Sequence, residues 1–480
     1  MRRNVIISIF CVLLVSHSVY ATWDVTNEEM LARCRATGLP ILHIETVDSV
    51  MPSYEVIYPP EGCVGLGITN NEKVPGHLWI EEGGDTIYDS GVYKEKKSGI
   101  TIKVRGNTTA SADSEKKPYK LKLQKKADLL FRGDDSKYAD KDWVLLRMVI
   151  CETLAGNMVN RALHMPWTPA EKVVALLLNG DFRGMYILTE NVKRNQSCRV
   201  DVSEEGYIYE YDAYWWNEDY YIPSRFSLNY TLTYPDSEDI ETEQEEYLQA
   251  KIIETEDAYL TKDGIDDVLD IPSYARWLWV HDMLGDWDSA GSNPFLMKYD
   301  SSEDSKTAMT CTWDFGGCFT NKYDKQWCRQ HTFWCFYYFF TLPQMAFVTE
   351  YINMYDNVVD EAFDIVADKL DSLRMTETAA HMDLAQELEN ERWNIQQTAP
   401  TERMMQLAQF LRTRKQDIAD LMTILKSEYN WEQPTTIETV GAEDMPVMLY
   451  DVLGRQLSAP ANGVVIIRYP DGRSSKVLYR

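Results

Sequence analysis

Positive charge is what this sequence is short of. Its 480 residues hold 48 Lys and Arg against 75 Asp and Glu, a formal charge of −27. A generic nucleic-acid binder carries a basic footprint, so that class of partner is excluded. An acidic membrane surface is excluded on the same ground. A small anion held in one local basic pocket is not. No CxxC pair occurs, which removes the usual spacing of a structural zinc site. Beyond the N-terminus no apolar stretch reaches the roughly 20 residues that a membrane span takes. Phe333 to Leu342 is rich in aromatics but covers only ten residues, so it reads as core or cleft wall. Neither an internal repeat nor a low-complexity tract appears. With 45% hydrophobic and 26% charged residues the composition is that of a folded protein, and the length suggests roughly two to four domains.

The N-terminus has three parts. Arg2 and Arg3 precede an apolar run from Val5 to Val15, and Val19-Tyr20-Ala21 supplies small residues at −3 and −1 of a cleavage site. The pattern is that of a secretory signal peptide over 1–21, so the chain is expected to be exported, to the periplasm, the cell surface or the medium, with no transmembrane segment in the mature form. Processing takes the charge to −29, since both arginines leave and no acid does. Eight cysteines remain, and Cys311, Cys318, Cys328 and Cys335 cluster. In an exported chain this permits disulfides, with ordinary buried thiols as the other reading.

Along the rest, patterning predicts short strands at Leu39–Ile44, Gly76–Ile80 and Gly99–Val104, and no helix before about residue 112. Residues 117–123 alternate cleanly, Tyr119, Leu121 and Leu123 on one face and Lys120 and Lys122 on the other. Val173–Leu178 and Arg183–Thr189 form two strands around Asn179-Gly180, a strong hairpin signal. Helices are predicted over 152–164, 272–285 and much of 345–426. Residues 236–270 carry 14 acids and two lysines, a charged helical insertion with Tyr247, Ile252, Ile253 and Tyr259 as its buried side. After a linker near Glu432–Thr436, two further strands form a small β module.

Two segments carry the chemistry. Asp288 and Asn293 are separated by four residues, and Asp314-Phe315-Gly316 follows. In protein kinases an Asp orients the acceptor hydroxyl, an Asn five residues on binds Mg²⁺, and the Asp of a DFG triplet binds it too. Magnesium wants hard oxygen ligands and leaves the remaining positions to nucleotide phosphates and water. A third element is basic: six lysines crowd residues 116–126, a local exception in so acidic a chain. Lys117 shares the parity of Tyr119, and Lys120 that of Lys122, so either face is open for a phosphate. Arg105-Gly106-Asn107, just upstream, adds a cation in a turn.

Taken in order, Arg105–Thr109, Lys116–Leu121, Lys141–Leu146, Leu178–Glu190, Gly206–Asp212, Asp288–Asn293 and Trp313-Asp314 resemble the CotH kinase family, secreted atypical kinases related to spore coat protein H. The resemblance spans roughly residues 39–425. It implies an α+β, divergent kinase-like fold over 22–430, with a β-rich N-terminal lobe (about 22–200) and a helical C-terminal lobe (about 240–430). It further implies ATP with Mg²⁺ or Mn²⁺, and transfer of phosphate to Ser or Thr of a protein partner that the sequence does not identify. On this resemblance Asp288 is the catalytic Asp, Asn293 and Asp314 bind metal, Lys117 or Lys120 contacts phosphate, and Arg105 and Glu190 belong to the nucleotide site. Two departures stand out. Gly316 takes the place of the family's second Asp, and after Trp143 the pairs Cys151-Glu152 and Gly156-Asn157 stand where the family tends to carry Asp-Lys and then Arg-Asn. A pseudokinase acting as a surface binding or structural protein is the alternative these departures raise. Residues 431–480, with Tyr450–Arg455 and Gly463–Tyr469, are similar to type IX secretion sorting domains.

Overall fold

Period-two alternation builds the first half of the molecule. In β6 (Ile100–Val104) and β7 (Tyr119–Ala127), Ile100, Ile102, Val104, Tyr119, Leu121 and Leu123 are buried, and the residues between them face outward. The computed structural model describes residues 25–69, 72–111, 114–133, 135–261, 264–286, 293–320, 325–328, 345–431, 448–451, 456–457, 463–468 and 474–479. Two compact units divide the chain, Met1–Thr423 and Ile424–Arg480.

The strands of the first unit are β1 (Ile41–Thr46), β2 (Val56–Ile57), β3 (Gly67–Ile68), β4 (Val74–Glu82), β5 (Asp85–Asp89), β6, β7, β8 (Asp140–Leu146), β9 (Glu171–Leu178) and β10 (Asp181–Glu190). β1 pairs parallel with β9 and antiparallel with β4. This closes the order β1-β9-β10-β8-β7-β6-β4 into a seven-stranded barrel, with β5 added outside β4. Leu42, Leu78, Ile102, Leu121, Trp143 and Leu176 are among the side chains that fill its interior. The β9–β10 hairpin turns on Asn179 (φ 53°) and Gly180 (φ 79°), the doubly positive φ of a type I′ turn that Asn-Gly adopts at least cost.

A second, antiparallel sheet has the order β12 (Asn229–Tyr234), β11 (Tyr207–Asp212), β13 (Phe295–Lys298), β14 (Thr307–Met309). The helices are α1 (Asn27–Thr37), α2 (Thr108–Ser111), α3 (Asp135–Tyr138), α4 (Ile150–Ala162), α5 (Thr242–Leu260), α6 (Ile265–Val268), α7 (Ile271–Leu284), α8 (Met345–Met354), α9 (Asp360–Leu373), α10 (Glu377–Trp393) and α11 (Pro400–Glu428). A π turn at Tyr355–Val359 carries α8 into α9. α7 packs on α8 through Trp279, stacked 4.0 Å from Tyr351. α10 lies on the barrel, where Glu389 accepts from Lys116 Nζ at 2.7 Å and from the Met185 amide at 2.7 Å. In the second unit β15 (Met448–Asp451), β16 (Gln456–Leu457), β17 (Gly463–Arg468) and β18 (Ser474–Tyr479) form one antiparallel sheet.

The mixture of helix and strand is the α+β class expected. Several particulars differ. The β-rich N-terminal part is a closed barrel, an architecture absent from the kinase-like expectation, and strands β13 and β14 lie inside the stretch expected to be helical. α1 was not anticipated, although its caps are in the sequence: Thr26 accepts from the Glu29 amide at 3.2 Å, and Gly38 follows at φ 80°. On α5 the buried set includes Leu248 and Glu256, while Ile253 and Tyr247 are only half-buried. Glu256 is tolerated inside because Ser224 Oγ and the Arg225 amide donate to it. Cys34, Cys63, Cys151, Cys198, Cys311 and Cys318 are free thiols, so the disulfide reading fails for these six. Cys335 and the proposed signal segment lie outside the described residues.

Candidate active site

A cleft of about 1050 Å³ runs along the outer face of the barrel. A row of residues in register crosses five of the barrel strands, and three of its members reach the cleft. Lys103 on β6 opposes Lys120 on β7, Lys120 opposes Val144 on β8, Val144 opposes Thr189 on β10, and Thr189 opposes Glu171 on β9. Lys103, Lys120 and Thr189 line the cleft, with Lys122, Asp142, Arg147 and Lys193 beside them. Lys193 Nζ is 2.5 Å from Asp142 Oδ2 and 3.0 Å from Asp140 Oδ1.

Directly opposed lysines destabilise a bare sheet. Burial, with Lys120 close by, pushes the Lys103 ammonium down to about 8. Burial pushes Lys120 down as well, against the pull of Asp142. Two partly desolvated cations on adjacent strands are a setting in which an added anion is favoured.

The second sheet supplies the acids. Along β11 the aromatics Tyr207, Tyr209 and Tyr211 are buried, whereas Glu210 and Asp212 line the cleft. Glu210 Oε1 accepts from the Asn293 amide at 3.0 Å. Burial, and then Asp212, raise its carboxyl well above the ordinary range. Asp314 is exposed to the cleft; enclosure by the cleft walls raises its carboxyl, against the Gly316 amide, which donates to it at 2.9 Å, and against Arg105. Arg105 feels both Asp314 and Glu210, and burial lowers its guanidinium. Asn293 (φ 81°) and Asp314 (φ 64°) both have left-handed backbones. Such strain costs about 1–3 kcal/mol per residue and collects at functional sites.

Of the residues expected to act, Arg105, Lys120, Asn293 and Asp314 line this one cleft. Asp288 lies outside the described residues. Lys117 is elsewhere: its Nζ donates to the Ala110 carbonyl at 2.7 Å and sits 5.1 Å from the Tyr54 ring. Glu190, the last residue of β10, is buried, and Arg132 Nη1 and the Ala170 amide donate to it at 2.8 and 3.0 Å. Lys103, Lys193, Glu210 and Asp212 were missed. Lys103 has the outward parity of Lys120, and Glu210 and Asp212 alternate with buried tyrosines, but parity alone does not say which outward face is covered.

Among the described residues no three His, Cys, Asp or Glu side chains gather closely enough to hold a metal ion. The donors that share the cleft (Asn293, Asp314, Glu210 and Asp212) are nonetheless all hard oxygens, the kind a Mg²⁺ ion takes. They fit that ion in chemistry, and Asp314 with Asn293 are the pair that would hold it.

Cations on one wall and carboxylates on the other define a protein that can neutralise a polyanion and hold a hard cation beside it. A family model described as CotH kinase protein matches residues 102–418, and the chain belongs to that family. Membership makes it an atypical kinase by family and implies a nucleotide as ligand. No curated protein matches the chain. Among the described residues no helix is long and apolar enough to cross a membrane.

Proposed function

We propose that this chain is an exported protein kinase that transfers the γ-phosphate of ATP to Ser or Thr of a protein partner. The observation that carries the reading is the facing of Lys103 and Lys120 against Asp314, Asn293 and Glu210 across one cleft. Lys120 and Lys103 neutralise nucleotide phosphates, and Arg105 steadies the charge of Asp314. Bound Mg²⁺ or Mn²⁺ supplies charge neutralisation between the phosphates. Asp288 accepts the hydroxyl proton of the acceptor as its oxygen bonds to phosphorus, and the bond to the ADP oxygen breaks. Positioning and charge supply most of such a catalysis. The N-terminal pattern supports export, and the likeness of residues 431–480 to sorting domains supports type IX secretion as the route. N-terminal sequencing of the chain recovered outside the cytoplasm should begin at Thr22.

The test of the activity is incubation of the mature chain with labelled ATP and Mg²⁺ or Mn²⁺. Label is expected on the chain itself or on an added protein, and to vanish in Asp314→Ala and Asp288→Ala. Labelling that is absent, or unchanged in both variants, overturns the reading. Gly316, in place of a second family Asp, favours one other reading, a nucleotide-binding pseudokinase. Binding of ATP with Mg²⁺ but no transfer would select it.

A further inference from the structure

One corner of the cleft is unlike the rest. Asn157 on α4, Pro169, Thr189, Val192, Phe295 and Trp313 line it, and the last three belong to one apolar cluster. Asn157 is 1% exposed. Its Nδ2 donates to Glu171 Oε2 at 3.2 Å, while its Oδ1 is buried with no hydrogen-bond partner. The orientation is forced. Arg161 grips Glu171 with two nitrogens, at 2.9 and 2.6 Å, so both Glu171 oxygens already act as acceptors. The Asn157 amide must turn its nitrogen to Glu171 and leave its oxygen without a donor. An orphaned buried acceptor is costly, and a ligand N–H relieves it.

The corner is placed to matter. Glu171 ends the row that begins at Lys103, and strands about 4.8 Å apart put Thr189 roughly 14 Å from Lys103 along that row. Cations at one end and an apolar corner with one acceptor at the other suit an extended molecule, anionic at one end and flat and apolar at the other.

Building on the nucleotide reading above, we propose that Asn157 is the base-specificity residue of this cleft. Its Oδ1 accepts a hydrogen bond from the exocyclic amino group of adenine, with Val192, Phe295 and Trp313 as the apolar surround. Hypoxanthine would set a carbonyl against that oxygen, and unsubstituted purine would leave it unpaired.

The test is calorimetric binding to the full chain, with Mg²⁺ present, of the imidotriphosphates of adenosine, inosine and purine riboside. Adenosine is expected to bind about tenfold or more tighter than purine riboside, the worth of one buried hydrogen bond, with inosine weaker again. In Asn157→Leu the three should bind within about twofold of one another, and inorganic tripolyphosphate should bind as it does to the unaltered chain. Equal binding of the three by the unaltered chain overturns the proposal and leaves the nucleotide reading intact. Persistent discrimination in Asn157→Leu overturns it too. Binding of none of the three overturns the nucleotide reading and this proposal with it. The comparison on the unaltered chain needs no variant, so it decides the matter even if Asn157→Leu does not fold.

Discussion

One side of the Phe315 ring lies against Gly156. A methyl group on Gly156 would sit 2.2 Å from Phe315 Cε1 and 2.3 Å from its Cδ1. Only glycine leaves room for the ring, so the aromatic of the Asp-Phe-Gly triplet is seated on α4 and the left-handed Asp314 beside it is held at the cleft. The residue that departs from the family at position 156 is therefore matched to the one at 315. Gly156→Ala gains roughly 0.5–1 kcal/mol of helix propensity and loses that seat. The melting temperature should move by only a few degrees while metal-dependent nucleotide binding, followed by calorimetry with and without Mg²⁺, falls about tenfold or more. Adding Phe315→Leu should recover part of the loss, because the smaller side chain can yield to the new methyl.

The cation pair in the cleft makes nucleotide binding sensitive to pH. Lys103 must be protonated to meet phosphate, and in the free site burial and Lys120 push it down to about 8. Below about 8 it is charged, and binding is unaffected by its titration. Above that, each pH unit should weaken ATP binding, up to about tenfold, well before an ordinary lysine near 10.4 would lose its proton. Binding titrations from pH 7 to 9.5 would show the bend, and Lys103→Arg, which stays charged, should abolish it.

Asp140 gives stability an acid limit. Burial alone would raise its carboxyl, but Arg199, the Asp142 amide and Lys193 outweigh that and draw it down to about 2. A carboxylate depressed in the folded chain stabilises it above the unfolded pKa, near 3.9, and that stability is lost as pH falls through about 2. Urea midpoints measured from pH 5 to pH 2 should fall. In Asp140→Asn the starting stability should be lower and the part of the decline belonging to this group absent.

The contact between α10 and the barrel rests on a buried ion pair. Lys116 and Glu389 are both nearly inaccessible and 2.7 Å apart, and Gly184 (φ 113°) leaves the space they occupy. Lys116→Met strands the Glu389 carboxylate, and removing one member of such a pair costs about 3–5 kcal/mol. Chemical denaturation should show a loss of that order. Lys116→Met combined with Glu389→Gln should lose less than the sum of the two single changes, since no charge is then left alone.

Parity and turn chemistry made much of this molecule legible. Tyr119, Leu121 and Leu123 declared the inner face of β7, and Asn179-Gly180 the β9–β10 hairpin. Those are local properties: a period of two, and a pair of residues that accept positive φ. Tertiary structure decided what local pattern cannot carry. Lys117 and Lys120 were equivalent candidates until strand pairing put Lys120 opposite Lys103 under the second sheet and tied Lys117 to Ala110. Glu190 looked like a site acid until Arg132 was found beside it, 58 residues away in sequence. Closing the barrel joins β1 to both β4 and β9, and those contacts are chosen by which apolar faces fill one interior. The sequence by itself determined which residues face inward and which chemistry is available. Packing between distant segments decided which outward face became a covered cleft, because desolvation, which lowers the pKa of Lys103 and Lys120, exists only once another layer lies over them.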